Sequence, residues 1–121
     1  MTKPYAVLGK YGQSLSEYYI RLNGTAAKLL KDKNVVKIAK TTDGKYIVLE
    51  PVDRVYGKTC RKVTFRGRRE ENMSAFVFVS AWVSMTFFDS DWFVGNHYKV
   101  KKDKYGKIYV CLDEITKEGE A

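Results

Sequence analysis

Cysteine, proline and histidine are scarce in this sequence of 121 residues, which contains two cysteines, two prolines and one histidine. Cys60 and Cys111 stand far apart and in no CxxC or Cys/His spacing. This excludes a disulfide-rich scaffold and a recognisable zinc motif. So few cysteines are typical of a reducing compartment. We therefore expect free thiols and no metal or other cofactor.

Long hydrophobic runs and recognisable targeting segments are also lacking. The longest apolar run, residues 75–88, is shorter than the roughly 18 residues expected of a membrane-spanning helix, and three hydroxyl side chains interrupt it. The first ten residues contain no apolar stretch that ends in a small-residue cleavage site. The sequence predicts a soluble cytoplasmic protein without membrane association.

Catalytic motifs are missing from the sequence as well. His97 has no evident catalytic partner, and a structural position in a strand accounts for it better than general-base catalysis. Asp89 and Asp91 form the nearest approach to a carboxylate pair, but a helix cap explains them more simply. We predict that the protein is not an enzyme.

Positive charge, by contrast, is abundant. Twenty-two Lys and Arg stand against fourteen Asp and Glu, which gives a formal net charge of +8. The length and the ordinary hydrophobic content predict a single folded domain spanning residues 1–121. A basic domain favours anionic partners, either nucleic acid or an acidic protein surface.

An internal repeat organises much of the chain. Residues 34–48 match residues 96–110 without a gap, and each copy predicts a β-hairpin with a polar turn that contains Gly. A weaker similarity precedes each hairpin, where Asn23 or Thr25 is suited to cap a helix over residues 26–31. Asp89 or Ser90 would cap a shorter turn in the second copy.

These signals predict an α+β, mainly β fold. Two strand, short helix, hairpin units, at about residues 17–52 and 75–112, would pack into one compact barrel-like or sandwich-like domain. A basic segment, residues 53–72, would connect the units, and an acidic, mobile tail would follow from residue 113 to residue 121.

The basic connecting segment supplies most candidate binding residues, because guanidinium groups bind phosphates in bidentate fashion. No acidic residue occurs between positions 54 and 69, and the candidate cations there are Arg54, Lys58, Arg61, Lys62, Arg66, Arg68 and Arg69. Tyr56 and Phe65 are suited to stack on bases or to anchor an interface. The alternative interpretation is a solvated edge strand on which positive charge deters aggregation.

The second hairpin carries further cations, Lys99, Lys101 and Lys102, followed by Lys104 and Lys107. Lysines of this kind add affinity more than sequence preference. Residues 76–88 are rich in aromatic and β-branched side chains, which favours a core strand. The alternative for this segment is an interface in an oligomer.

Residues 17–31 and the hairpin up to Val52 resemble the AbrB-like swapped-hairpin family, in which a strand leads into a short helix and a hairpin. The resemblance covers about residues 17–52, and more faintly 80–112, with Leu22 and Asn23 in place of the family's Ile-Pro pair. It implies a pseudo-dimer within one chain. It also implies DNA binding by basic residues near the strand that enters the helix, for which Arg21 is the nearest match.

Two functions remain open at this point. The first is a non-catalytic nucleic-acid-binding module, specifically a DNA-binding bacterial or phage regulator. The second is a phage-encoded anti-defence inhibitor or adaptor, similar to an anti-CRISPR protein, that binds a host protein or nucleoprotein complex through Tyr, Trp and Arg anchors.

Overall fold

The computed structural model describes residues 3–10, 17–30, 33–57, 59–67, 73–80 and 97–116. Within them the elements are β1 (Tyr5–Lys10), β2 (Glu17–Leu22), α1 (Gly24–Ala27) with a 3-10 turn (Lys28–Leu30), β3 (Val35–Lys40), β4 (Tyr46–Val52), β5 (Cys60–Arg66), β6 (Ser74–Ser80), β7 (His97–Lys102) and β8 (Ile108–Thr116). None of the helical residues described here forms a helix long and apolar enough to cross a membrane.

The eight strands close into one antiparallel barrel in the order β1, β2, β6, β5, β3, β4, β8, β7. β7 pairs with β1 and completes the ring. The predicted mainly β fold is confirmed, and of the two predicted arrangements, barrel-like and sandwich-like, the strands form the barrel. Because β5 pairs with β3 on one side and β6 on the other, the interpretation of the basic segment as an edge strand is wrong.

The barrel wall has two faces because successive side chains in a strand point to opposite sides. The inner face is apolar, as expected for an eight-stranded barrel whose interior is filled by side chains. Its buried residues include Ala6, Leu8, Ile20, Leu22, Val36, Ile38, Ile47, Leu49, Val63, Ala75, Val77, Val79, Tyr98, Val100, Ile108 and Val110. The strand residues that alternate with these positions face outward.

Helix α1 is capped by Asn23, one of the two predicted caps, and begins at Gly24, two residues before the predicted start at residue 26. The Oδ1 of Asn23 accepts hydrogen bonds from the backbone N–H of Ala26 and of Tyr5, each at 3.0 Å, and its Nδ2 donates to the carbonyl of Lys3. Ala26, Ala27 and Leu30 are buried against the barrel core. Asn23 therefore caps the helix and fixes the start of β1 at the same time.

Both predicted hairpins are present, as β3–β4 and β7–β8, and Gly44 and Gly106 take φ values of 74° and 90° in their turns. The ungapped repeat is in register only for the first strand of each hairpin. Lys40 lies opposite Ile47, whereas Lys102 lies opposite Ile108, so the first turn is one residue longer. Residues of β4 and β8 that the ungapped repeat aligns consequently point to opposite faces.

The prediction of two strand, short helix, hairpin units is not supported. A helix is described only after β2, and the positions predicted for its counterpart, Asp89 and Ser90, lie outside the described residues. The strands also interleave around one barrel, with β2 beside β6 and β4 beside β8. β8 continues to Thr116, so part of the segment predicted as a mobile tail is strand.

Candidate nucleic-acid interface

Aromatic and basic side chains cover a continuous part of the barrel exterior, on the five neighbouring strands β7, β1, β2, β6 and β5. They alternate along their strands with buried core residues such as Ile20 and Val77, so strand geometry directs them outward. We call this set the aromatic face; it comprises Tyr5, Tyr19, Arg21, Arg66, Phe76, Phe78 and His97. Its residues lie on neighbouring strands, with Arg21 opposite Phe76 and Tyr19 opposite Phe78.

Three rings form the centre of the aromatic face. Phe76 and Phe78 stack with their ring centroids 6.0 Å apart and their planes inclined by 13°. The ring of Tyr19 meets them edge-on or tilted, at 5.6 Å from Phe76 and 6.3 Å from Phe78. All three side chains are only partly buried. The centre of the face thus presents π-surface on the outside of the wall.

Cations flank these rings on both sides. The guanidinium of Arg66 lies 5.2 Å from the centroid of Phe76 and 5.8 Å from that of Phe78. On the other side the guanidinium of Arg21 lies 5.9 Å from the ring of Tyr5, which stacks on His97 with centroids 4.6 Å apart. Each arginine is held near a ring by cation–π attraction while its charge remains available to an anion.

The absence of a side chain at Gly9 leaves room for the ring of Tyr19. Gly9 lies opposite Tyr19 in the β1–β2 pairing, and a Cβ at this position would fall 2.3 Å from Cζ of that ring. The phenol therefore lies flat across the backbone of β1, in space that any other residue type would occupy. The position of Tyr19 depends on this missing side chain.

The substitution Gly9→Ala is expected to displace the Tyr19 ring and to weaken any ligand binding at the aromatic face by several-fold, since the loss of one stacking platform costs about 1 kcal/mol or more. The barrel should persist, because the clash is with the far end of one side chain. Oligonucleotide affinity and thermal unfolding would be measured together. Gly57→Ala is the matched control, because its Cβ would meet nothing within 4 Å. Unchanged affinity in Gly9→Ala would contradict this role of Tyr19.

A second group of side chains lies on β4, β7, β8 and the start of the turn after β7. A shallow surface pocket of about 230 Å³ is lined by Tyr46, Lys101, Lys102, Asp103 and Tyr109. The Nζ of Lys101 donates to the hydroxyl of Tyr46 at 3.3 Å and lies 4.8 Å from the centroid of that ring. Tyr46 and Tyr109 meet edge to face at 5.6 Å. We call this group the tyrosine pocket.

Hydrogen bonds set the charges of the tyrosine pocket. The bond to Tyr46 raises the pKa of Lys101, so its ammonium stays charged. Desolvation, together with the bond to Asp103, raises the pKa of Tyr109 and keeps this phenol neutral. Desolvation alone would raise the pKa of Asp103, but the amides of Lys107 and Tyr105 and the hydroxyl of Tyr109 hold it below its usual value.

Among the predicted binding residues, Arg21 and Arg66 meet on the aromatic face although they are distant in sequence. Lys62 is exposed on β5, two residues before Thr64, which lies opposite Phe76. Lys101 and Lys102 line the tyrosine pocket, and Lys99 lies between the two regions, with its Nζ 3.8 Å from Glu114. These cations lie on β7, β2 and β5, within five strands that are consecutive around the eight-stranded barrel.

Other predicted residues lie elsewhere. Phe65, predicted as a stacking residue, is partly buried and packs against the barrel core. Arg61 is partly buried opposite the buried Val36, and its Nε is buried with no hydrogen-bond partner among the described residues. Arg54 and Tyr56 are exposed on the loop after β4. Lys58, Arg68 and Arg69 lie outside the described residues.

Sequence reasoning missed the rings that give the aromatic face its character, namely Tyr5, Tyr19, Phe76 and Phe78. The favoured core interpretation of residues 76–88 is wrong for Phe76 and Phe78, which point outward, whereas Ala75, Val77 and Val79 are buried. Residues 81–88 lie outside the described residues. The available signal was the alternation of large aromatic with small or β-branched residues along residues 75–79.

No family model, no curated protein and no solved structure matches the chain. Within the described residues, no group of three His, Cys, Asp or Glu side chains is arranged to hold a metal ion. Cys60 and Cys111 are buried free thiols, and burial raises the pKa of Cys111.

Proposed function

We propose that this protein is a non-catalytic nucleic-acid-binding module that binds single strands on its aromatic face. The observation that carries the proposal is the set of outward rings on β1, β2 and β6, with Arg21 and Arg66 beside them. Stacking of bases on aromatic side chains, combined with a cationic track for the backbone, is the general mode of single-strand binding.

Single strands suit this surface better than a duplex does. The face offers π-surface at Phe76, Phe78 and Tyr19, and only an unpaired base presents its own π-surface to such a ring. Recognition of duplex DNA in the major groove commonly uses an exposed α-helix. Among the described residues the one α-helix, α1, has four residues, and its Ala26 and Ala27 are buried. The proposed ligand is therefore a single strand, of either DNA or RNA, and not duplex DNA.

The test is fluorescence anisotropy with labelled oligonucleotides of about 12 nucleotides, within the range that single-strand modules cover. Single-stranded DNA and RNA of mixed sequence would be compared with the corresponding duplex. We expect at least tenfold tighter binding of a single strand, and an affinity that falls steeply between about 50 and 200 mM salt because phosphate contacts release counterions. Absence of single-strand binding at low salt would overturn the proposal.

The arginines of the face provide a second arm of the same experiment. Arg21→Gln and Arg66→Gln remove charge but keep length and polarity, so each should lower the affinity and reduce the salt dependence by about one phosphate contact. Lys28→Gln is the charge-matched control, because Lys28 is exposed on the turn after α1 and belongs to neither binding region. Equal effects of all three changes would indicate net charge alone.

A protein partner is the second candidate function, as in an anti-defence inhibitor or adaptor. It is favoured by the loop after β4, where Val55 is 48% and Tyr56 57% exposed next to Arg54. Exposed Tyr and Arg are common anchors of protein interfaces. If no oligonucleotide binds, this loop is the first surface to test for a partner, by comparing capture on the unaltered protein with capture on Tyr56→Ala.

A further inference from the structure

The aromatic face and the tyrosine pocket meet at β7, which contributes His97 to the face and Lys101 and Lys102 to the pocket. Lys99 of β7 is opposite Tyr5, the ring at the margin of the aromatic face. Lys101 is two residues further along β7, on the same outer side, and lies opposite Tyr109. A chain of cationic and aromatic side chains therefore runs from one region to the other without crossing the barrel core.

The contacts within the tyrosine pocket are suited to a nucleotide. Tyr46 and Tyr109 form an edge-to-face pair, so the two rings offer walls at a right angle. Lys101 and Lys102 place two cations at the rim. Asp103, the acidic residue of the lining, has its carboxylate engaged by two backbone amides and by the Tyr109 hydroxyl, so it is already bound within the turn.

From this arrangement we infer that the tyrosine pocket is a second subsite for the same single strand, taking one base against the tyrosines and its phosphate at Lys101 and Lys102. This inference rests on the proposed function of the aromatic face. Along β2, β1, β7 and β8, where the cationic and aromatic side chains lie, the path from Phe76 on β6 to Tyr46 on β4 crosses five interstrand spacings, about 24 Å at about 4.8 Å each. The opposite way round the barrel, over β5 and β3, crosses three spacings, about 14 Å. A strand that follows the cationic and aromatic side chains must therefore exceed a few nucleotides before it reaches both regions.

The test is a length series of single-stranded oligonucleotides from about 3 to about 12 nucleotides, bracketing the site sizes known for single-strand modules. With the unaltered protein we expect the affinity to rise when the strand becomes long enough to occupy both regions. Tyr46→Ala and Lys101→Ala should each lower the affinity for the longest strand by about five- to tenfold, within the range for loss of a stacking or phosphate contact. Both should bind the shortest strand as the unaltered protein does.

Lys28→Ala serves as the charge-matched control, and thermal unfolding verifies that each variant is folded. Tyr46→Phe gives a milder version of the pocket change, because it removes the hydroxyl contact of Lys101 and keeps the ring; it should retain most of the long-strand affinity. If short strands bind and the affinity gains nothing from length, or if the pocket variants bind long strands normally, the subsite inference is wrong and the aromatic face stands. If no strand of any length binds, both proposals fail.

Discussion

Replacement of Phe76 and Phe78 by alanine together is expected to weaken single-strand binding by at least about 30-fold, because each base stacked on an aromatic ring contributes about 1 to 3 kcal/mol. The two rings form the stacked pair at the centre of the aromatic face. The barrel should remain folded, since the inward residues of β6, Ala75, Val77 and Val79, are unchanged. Anisotropy titrations would measure the affinity, and circular dichroism would verify the fold.

Two further variants test whether the affinity depends on stacking. One distinguishes stacking from hydrophobic volume, and the other distinguishes it from the general effect of losing an aromatic ring. Phe76→Leu with Phe78→Leu keeps hydrophobic volume but removes the π-surface, and it should lose most of the affinity as well. Tyr105→Ala removes a ring that is 77% exposed in the β7–β8 turn and belongs to neither binding region, and it should bind normally. Full affinity in the leucine variant would contradict stacking as the basis of binding.

Replacement of Asn23 by alanine is expected to cost about 2 to 4 kcal/mol in the free energy of unfolding, since it removes a helix cap and leaves buried backbone groups without partners. The side chain is 6% exposed, accepts from Ala26 and Tyr5, and donates to Lys3. Urea denaturation would measure the loss. Asn34→Ala, at an exposed position, is the control and should change the stability little.

The same substitution links stability to binding. The amide of Tyr5 loses its partner in Asn23→Ala, and the ring of Tyr5 stacks on His97 at the margin of the aromatic face. We expect reduced single-strand affinity even under conditions where the variant is folded. An Asn23→Ala protein as stable as the unaltered one would show that the three hydrogen bonds contribute no net stability.

Local features of the fold could be predicted from sequence because they depend on neighbouring residues. The cap at Asn23 and the turns at Gly44 and Gly106 follow from side-chain and backbone chemistry within a few positions. The length of the first turn could not be predicted in this way. Its additional residue is visible only once Lys40 is seen opposite Ile47, because hairpin pairing, and not sequence identity, sets the register.

The aromatic face depends on contacts between segments that are distant in sequence, so it could not be predicted as a whole from the sequence. Tyr19 and Phe78 meet because β2 pairs with β6, a pairing across many intervening residues. An apolar run such as that around Phe78 has no polar side to mark its exterior, so either face could have been the core. Arg66 was found from charge density, but its position over Phe76 required the β5–β6 register.

Closure of the barrel also bears on how this protein could diversify. Every described strand has a neighbour on both sides, so no strand edge is left to add a ligand's backbone to the sheet, and recognition must come from side chains alone. Outward positions alternate with the packed interior, so their identities can change with little effect on the core. A barrel of this kind is a scaffold on which new ligand preferences can be selected, or engineered, residue by residue.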